Sequence, residues 1–496
     1  MTIKDPIGVH SDIIENLLLY YDTSFSMKFD GLNDERNNLL RMEGEMAREP
    51  YIELLLDYEK SDVCPGEGGN LRQKLVEDLD FSEDDATYCS NILAAGLFKD
   101  WKSNQTLYQH QWDMTISVLH GSPSVITSGT GSGKTESFLL PILLNLLRES
   151  RNWSKAPIPN PPWWNGTNKS YVSQRNTVDE IESGRQPGLR GIIIYPMNAL
   201  VEDQLGRLRD SLDTDAVLNA IQANDGGRIY FGRYTGKAPI SGDSFDVKTV
   251  EKREKELAKL MKEVELLRNS VEQSGITDSN MFSKINGSEM RSRWDMQQTS
   301  PDLLITNISM LAILLMRNQE SEIINQTKEY LKKEGAVFHL VIDELHLSRG
   351  SSGTEISHLI RLLLSRLGLS PDDKRLRIIA SSASLETSHD VGNNPSKGNT
   401  FLSDFFARDS TDFNVIPGKL QSISGIDPLD VSSKEILDNF DCLPTEPFIE
   451  RVNLLEQGHR TPPREWLESC AMKLTGEKVS LEQAFDSRNI DSRLID

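Results

Sequence analysis

The chain opens with apolar residues at helical spacing. In "SDIIENLLLYY" (11–21) and "ERNNLLRMEGEMAREPYIELLLDYEK" (35–60) they recur every three to four positions with acidic residues between them, so residues 1–100 are expected to form a mainly helical N-terminal region. From residue 101 the pattern changes to short apolar, β-rich runs separated by amphipathic stretches. The runs are "SVIT" (124–127), "GIIIY" (191–195), "RIYFGRYT" (228–235), "DLLIT" (302–306), "VFHLVID" (337–343) and "RIIASSAS" (377–384). Strand and helix in repetition predict an α/β fold with a parallel sheet covered on both faces. Two stretches interrupt it. Residues 152–190 are rich in Pro, Asn, Gly and Ser, carry Trp153, Trp163 and Trp164, and read as a long loop that either packs its own aromatics or offers them to bases. A second insertion covers about 241–290. Within it 247–276 is charged and helical, with Leu257, Leu260, Val264, Leu267 and Val271 forming a short heptad seam, expected to pack on its own protein rather than to dimerise. "FLSDFFARDSTDFNVI" (401–416) predicts one helix and one strand, which closes an α/β domain at 101–417; 418–496 shows only weak helical segments between Pro- and Ser-rich joints.

Charge and composition narrow this picture. The chain has 496 residues and a net charge of −21, which argues against a simple basic nucleic-acid binder. The acidity sits in the flanks: the net is −13 over 1–100, −8 over 401–496 and zero between, so the middle can still present a basic groove. Acidic flanks are ordinary soluble surface, or they face a basic partner. The four cysteines (Cys64, Cys89, Cys442, Cys470) lie far apart with no C-x-x-C pair, which predicts neither a zinc site nor a disulfide framework and suits a reducing cytoplasm. The first residues show no basic segment followed by an apolar one, and no run reaches membrane-spanning length, so neither a secretory signal nor a membrane association is expected.

The chemistry concentrates in "TSGTGSGKTE" (127–136), between a predicted strand and a predicted helix. A glycine-rich turn at a helix N-terminus points backbone N–H groups and the positive dipole end at one place, a cradle for phosphate. Ser128, Gly129, Thr130, Gly131, Ser132 and Gly133 form the wrap. Lys134 can reach β- and γ-phosphates, and the Thr135 hydroxyl can ligate Mg²⁺. The strict phosphate-loop pattern fails only at its first position, Ser128. "VFHLVIDELH" supplies the second half: an apolar strand ending in Asp343 and Glu344, two carboxylates that are costly to bury without a cation. Beside Mg-ATP, Asp343 would help hold the hydrated metal and Glu344 would polarise an attacking water.

Six segments in this order resemble the first RecA-like lobe of superfamily 2 DExH/DEAD-box helicases, in the manner of the Lhr and MrfA-like bacterial group. They are "LYQHQ" (107–111), "SGTGSGKT" (128–135), "YPMNALVEDQ" (195–204), "ITN" (305–307), "DELH" (343–346) and "SAS" (382–384). The resemblance implies a RecA-like P-loop NTPase fold, ATP and Mg²⁺ as cofactors, and a single nucleic-acid strand, DNA by preference, as partner. It makes Gln111 the expected adenine reader. It implies strand-backbone contacts for Pro196, Asn198, Thr235, Gly236, Thr306 and Asn307, and a coupling role between the two sites for His346, Ser382 and Ser384. The residues themselves leave plainer roles open: Thr306 and Asn307 can equally cap the next helix, and "SAS" can be a strand-to-turn transition.

Helicases of this class use a second RecA-like lobe that supplies arginines to the cleft. The nearest text, "EQGHRTPPR" (456–464), follows Ser384 too closely to end such a lobe, so Arg460 and Arg464 read as loop arginines. The expectation is an ATP-binding lobe of a helicase or translocase that needs a second lobe, carried by a separate polypeptide or lost by truncation, for full activity. A non-catalytic subunit that keeps the fold is the other reading; intact Lys134, Asp343 and Glu344 speak against it.

Overall fold

The structure, a computed structural model, describes residues 6–42, 45–46, 57–129, 131–153, 175, 185–224, 226–240, 247–273, 284, 287–383, 385 and 397–421. Thr130, Trp163, Trp164, Ser384, Cys442, Cys470, Arg460 and Arg464 lie outside these residues. The chain divides into two compact units: residues 1–57 with 420–496, and residues 58–419. In the first, helices α1 (Pro6–Ser24) and α2 (Asp30–Leu40) are tied by Asp22, which accepts from Arg36 at 2.6 Å and from Asn37 at 3.0 Å.

The second unit begins with α3 (Leu71–Leu79) and α4 (Glu83–Ala95). The helical region expected over 1–100 therefore parts at 57/58. Its second portion belongs with the α/β fold because Leu71, Leu75, Tyr88, Ile92 and Phe98 are buried in the same apolar cluster as the residues that follow. The order continues α5 (Gln109–Leu119), β1 (Ser124–Thr127), α6 (Lys134–Ser150), β2 (Gly191–Tyr195), α7 (Asn198–Leu212), α8 (Asp215–Ala223), β3 (Phe231–Tyr234), α9 (Val247–Gln273) and β4 (Glu289–Met290). It closes with α10 (Arg293–Gln298), β5 (Leu303–Asn307), α11 (Ile308–Met316), α12 (Ser321–Tyr330), β6 (Phe338–Ile342), α13 (Gly350–Leu367), β7 (Leu376–Ser382), α14 (Lys397–Phe406) and β8 (Asn414–Pro417).

All the strands pair in parallel in one eight-stranded sheet of order β4-β3-β5-β2-β6-β7-β1-β8. Alternate side chains enter opposite cores, as the two-residue period of a strand requires. Ile193, Leu303, Val341 and Ile379 face the core built by α3 to α8, while Ile192, Leu304, Leu340 and Ile378 face the one built by α11 to α14. The α/β expectation holds, and each predicted strand forms within a few residues of its run. β4 is an addition that the pattern did not show, because two residues carry no period. In α9, Leu257 and Met261 are buried with Leu260 and Ile240 against them, whereas Leu267 is 51% exposed, so the seam packs inward only over its first half. No helix among the described residues is long and apolar enough to cross a membrane.

The amino ends of β2 and β5 are pinned by buried charge. Asp302 is fully buried and is surrounded by Arg185 (2.6 Å), Arg190 (3.3 Å) and Arg175 (3.6 Å). Burial alone would raise its carboxyl, but the Arg185, Arg175 and Arg190 guanidiniums outweigh that and hold it below the ordinary carboxylate range. Trp153 lies 3.6 Å under the Arg185 guanidinium of this knot and is itself buried, so this tryptophan packs its own protein. Asp213, at the end of α7, accepts from Ser288 N at 2.5 Å just before β4, and burial pushes its carboxyl up to about 6.

Two stability outcomes follow. Asp302→Ala leaves the guanidiniums uncompensated and should cost about 3–5 kcal/mol, read as a lowered urea midpoint. For Asp213 the sign runs the other way from an ion-paired carboxylate. Between about pH 4 and 6 the folded chain holds a proton that the unfolded chain has lost, so this group adds stability as pH falls from 7 to 5. Asp213→Asn should remove that gain, so the wild-type and variant melting temperatures should diverge toward pH 5 in favour of the wild type relative to their difference at pH 7.5.

Candidate nucleotide site and strand-tip face

The strand order sets the site. β7 lies between β1 and β6, so the loop after β1 and the acids after β6 emerge at the same carboxyl edge, on either side of the end of β7. In open α/β sheets ligands bind at this edge.

The loop is braced from within. Ser132 Oγ donates to Gly129 O at 2.9 Å and pairs with Ser128 Oγ at 2.6 Å; Ser128 N donates to Ser382 O at 3.3 Å. Gly131 and Gly133 have φ of +77° and +70°, and a Cβ on Gly133 would sit 2.2 Å from Gln111 Nε2. Glycine is required there by both torsion and space. The Gln111 amide accepts from Tyr108 N at 2.9 Å and donates to Gly133 O at 3.0 Å. The expected adenine reader is thus 2% exposed and ties the start of α5 to the loop. His110 Nε2 bonds Ser132 O at 2.9 Å, and Tyr58 OH accepts from Gly129 N at 3.1 Å. The rings of Tyr58, Tyr108 and His110 are in mutual contact. Sequence reasoning missed Tyr58, and no local signal marks a partner 71 residues upstream.

Opposite the loop, Asp343 is 9% exposed. The Ser381 hydroxyl and Glu344 N donate to its Oδ1, the latter at 3.0 Å. Burial raises its carboxyl, and the neighbouring Glu344 charge adds to this; the Ser381 bond and Lys134 oppose. Glu344 has a left-handed backbone, φ +52°, which costs a non-glycine residue about 1–3 kcal/mol. Lys134 Nζ lies 3.7 Å from Glu344 Oε1. His346 Nδ1 lies 3.3 Å from Glu344 Oε2 and 3.3 Å from Ala383 N, linking the acidic strand end to the segment after β7. On the far side Gln204 Nε2, from α7, donates to Thr135 Oγ1 at 3.2 Å, and Arg207 pairs with Glu136.

Buried polar atoms without hydrogen-bond partners collect around this hollow: Lys134 Nζ, Tyr195 Oη, Gln204 Oε1 and Ser382 Oγ. Such atoms are rare in a finished interior. A buried ammonium with hydrogen bonds to give, facing a phosphate cradle, fits a nucleotide polyphosphate. Among the described residues no group of three or more His, Cys, Asp or Glu side chains could hold a metal alone. A Mg²⁺ would take Thr135 and Asp343 together with phosphate and water oxygens, the usual donor set for that ion.

The residues expected to meet a strand sit on three adjacent strand tips of the same edge, β2, β5 and β3. Asn307 Nδ2 donates to Asn198 Oδ1 at 2.6 Å, while its Oδ1 accepts from Met310 N at 2.8 Å and caps α11. Thr306 is fully buried and donates to Tyr234 O at 2.7 Å; Thr235 is buried with its hydroxyl unpartnered. Asn198 and Gly236 are exposed and Pro196 is half-buried. Thr306 and Asn307 thus fix the tips, and the outward groups are those of the residues around them.

Residues 108–230 match the DEAD/DEAH box helicase family. A curated relative, Druantia protein DruE of Escherichia coli (strain UMEA 4076-1), is 32% identical over 471 residues, covering 85% of this chain; the chain spans 22% of the length of that relative. Among solved structures, DUF1998 helicase MrfA bound to DNA and AMPPNP superposes with a TM-score of 0.36 at 15% identity, over 83% of this chain and 39% of that one. Mycobacterium smegmatis helicase Lhr bound to ssDNA and AMP-PNP gives 0.35 at 15% identity, over 80% and 36%. The likeness to the DEAD/DEAH box helicase domain lies in residues 108–230, within the unit that carries the sheet.

Proposed function

We propose that this chain is the ATP-binding lobe of an ATP-dependent DNA helicase or translocase that works in the cytoplasm. The observation that carries the reading is the buried, hydrogen-bond-free Lys134 ammonium, 3.7 Å from Glu344, in a hollow shared by the glycine-rich loop and Asp343. Lys134 binds β- and γ-phosphate oxygens, and the amides of 131–135 face them. Thr135 and Asp343 would hold Mg²⁺, which would supply positive charge to the phosphoryl oxygens. Glu344 orients the attacking water and accepts its proton. Gln111 keeps one lone pair and one N–H beyond the bonds it makes, enough to meet a base edge.

In this reading Pro196, Asn198, Thr235 and Gly236 belong to a sequence-neutral face for a strand backbone, Thr306 and Asn307 fix the strand tips beneath it, and His346, Ser382 and Ser384 connect that face to the ATP site. A second RecA-like lobe, elsewhere in a longer chain or on a separate polypeptide, completes the hollow with arginines and sets the rate of closure.

The test is nucleotide binding and hydrolysis with and without single-stranded DNA or RNA. Lys134→Ala should weaken ATP binding at least about tenfold. Glu344→Gln should keep binding and lower turnover by about 10²–10⁴. A wild-type chain that binds no nucleotide, with Lys134→Ala indistinguishable from it, would leave a scaffold subunit as the reading. Asn198→Asp keeps the oxygen that accepts from Asn307 Nδ2 and sets a negative charge on the exposed strand-tip face, at the first residue of α7. It should leave the melting temperature nearly unchanged and weaken single-strand binding by about tenfold, more so at low salt; equal binding by variant and wild type would remove Asn198 from the face.

A further inference from the structure

The Thr135 hydroxyl has one hydrogen-bond partner among the described residues, and that partner is Gln204. Gln204 is the last residue of "YPMNALVEDQ" and lies on α7, a helix outside the phosphate loop and the acidic strand end. Its side chain is 7% exposed and is held in place by its helix: one turn on, Arg207 pairs with Glu136, the residue after Thr135. The amide uses one end only. Nε2 donates to Thr135 Oγ1 at 3.2 Å, and Oε1 is buried with nothing to accept from, while Nε2 also makes a long bond of 3.5 Å to Asp203 Oδ2, which a turned amide gives up.

That arrangement is matched to one state of the hydroxyl and mismatched to another. A threonine hydroxyl has one proton and two lone pairs. The Gln204 N–H occupies a lone pair. A hydroxyl that ligates a cation gives a lone pair to the metal, becomes a stronger donor, and needs an acceptor for its proton. Turning the carboxamide over about its last torsion, which is broad and nearly two-fold, exchanges its ends without moving the helix. Oε1 then meets the Thr135 proton, and the lone pair is released.

We propose that Gln204 is a positioning residue for the metal-ligating hydroxyl: its carboxamide accepts the Thr135 proton and so aims the hydroxyl oxygen at Mg²⁺. This rests on the reading of the hollow as a Mg-ATP site. Gln204 does not touch nucleotide; it acts through Thr135.

The experiment measures binding of a fluorescent ATP analogue to the full chain, with Mg²⁺ and with EDTA, and takes the ratio of the two affinities for each protein. Gln204→Leu fills the same space with no acceptor. It should bind the analogue in EDTA within about twofold of wild type and lose about 10- to 100-fold of the Mg²⁺ enhancement. Gln204→Glu retains an acceptor and loses the donor, and it should keep the enhancement. A structural role in packing α7 on α6 predicts the opposite, since the buried carboxylate would disturb the contact more than leucine. The proposal is overturned if Gln204→Leu keeps the wild-type ratio, or if Gln204→Glu loses it as the leucine variant does. Should leucine lower the melting temperature by more than a few degrees, Gln204→Met carries the same comparison. Failure of the underlying reading looks different: wild type itself then shows no nucleotide binding in either buffer.

Discussion

The fold is organised so that one ammonium can stay buried without a hydrogen-bond partner. Lys134 stands on the first turn of α6, its charge balanced at 3.7 Å by Glu344 and more distantly by Asp343. None of these groups would be stable alone in an apolar interior. They persist because β7 keeps β1 and β6 apart by one strand width, and its penultimate residue, Ser381, bonds Asp343. The same edge holds the Asn198–Asn307 pair, so the two expected sites share a rigid foundation.

Buried charge at the opposite end of the strands supports that edge. Asp302 and its arginines hold the amino ends of β2 and β5, and Arg185 lies over the buried Trp153 ring. The charges there are paired with one another, three guanidiniums around one carboxylate. At the carboxyl edge the Lys134 ammonium stands 3.7 Å from its nearest carboxylate with no hydrogen bond. Stability and chemistry are thus divided between the two ends of one sheet.

Much of this was legible in the residues. Runs of Ile, Val and Leu bounded by turn residues gave the strands, and the glycine-lysine-threonine wording with the Asp343–Glu344 strand end gave the hollow, because each requirement is local in sequence. What escaped was long-range. Tyr58 reaches Gly129 across 71 residues, and the 57/58 boundary depends on which core Leu71 and Tyr88 enter. The letters of Thr306 are those of a strand contact, yet its hydroxyl is spent on Tyr234 O, a bond that only strand neighbours reveal. Gln204 was part of a quoted segment, but its meaning lies in an unpaired oxygen that no spacing records.

The two-residue strand β4 carries a consequence of its own. A parallel sheet of this size ends in a margin of unpaired amides and carbonyls, a template on which a neighbouring polypeptide can nucleate. Stopping that margin after Glu289 and Met290, both buried, leaves too short and too covered a ladder for another chain to zip onto, so the sheet is protected from edge-to-edge aggregation on that side.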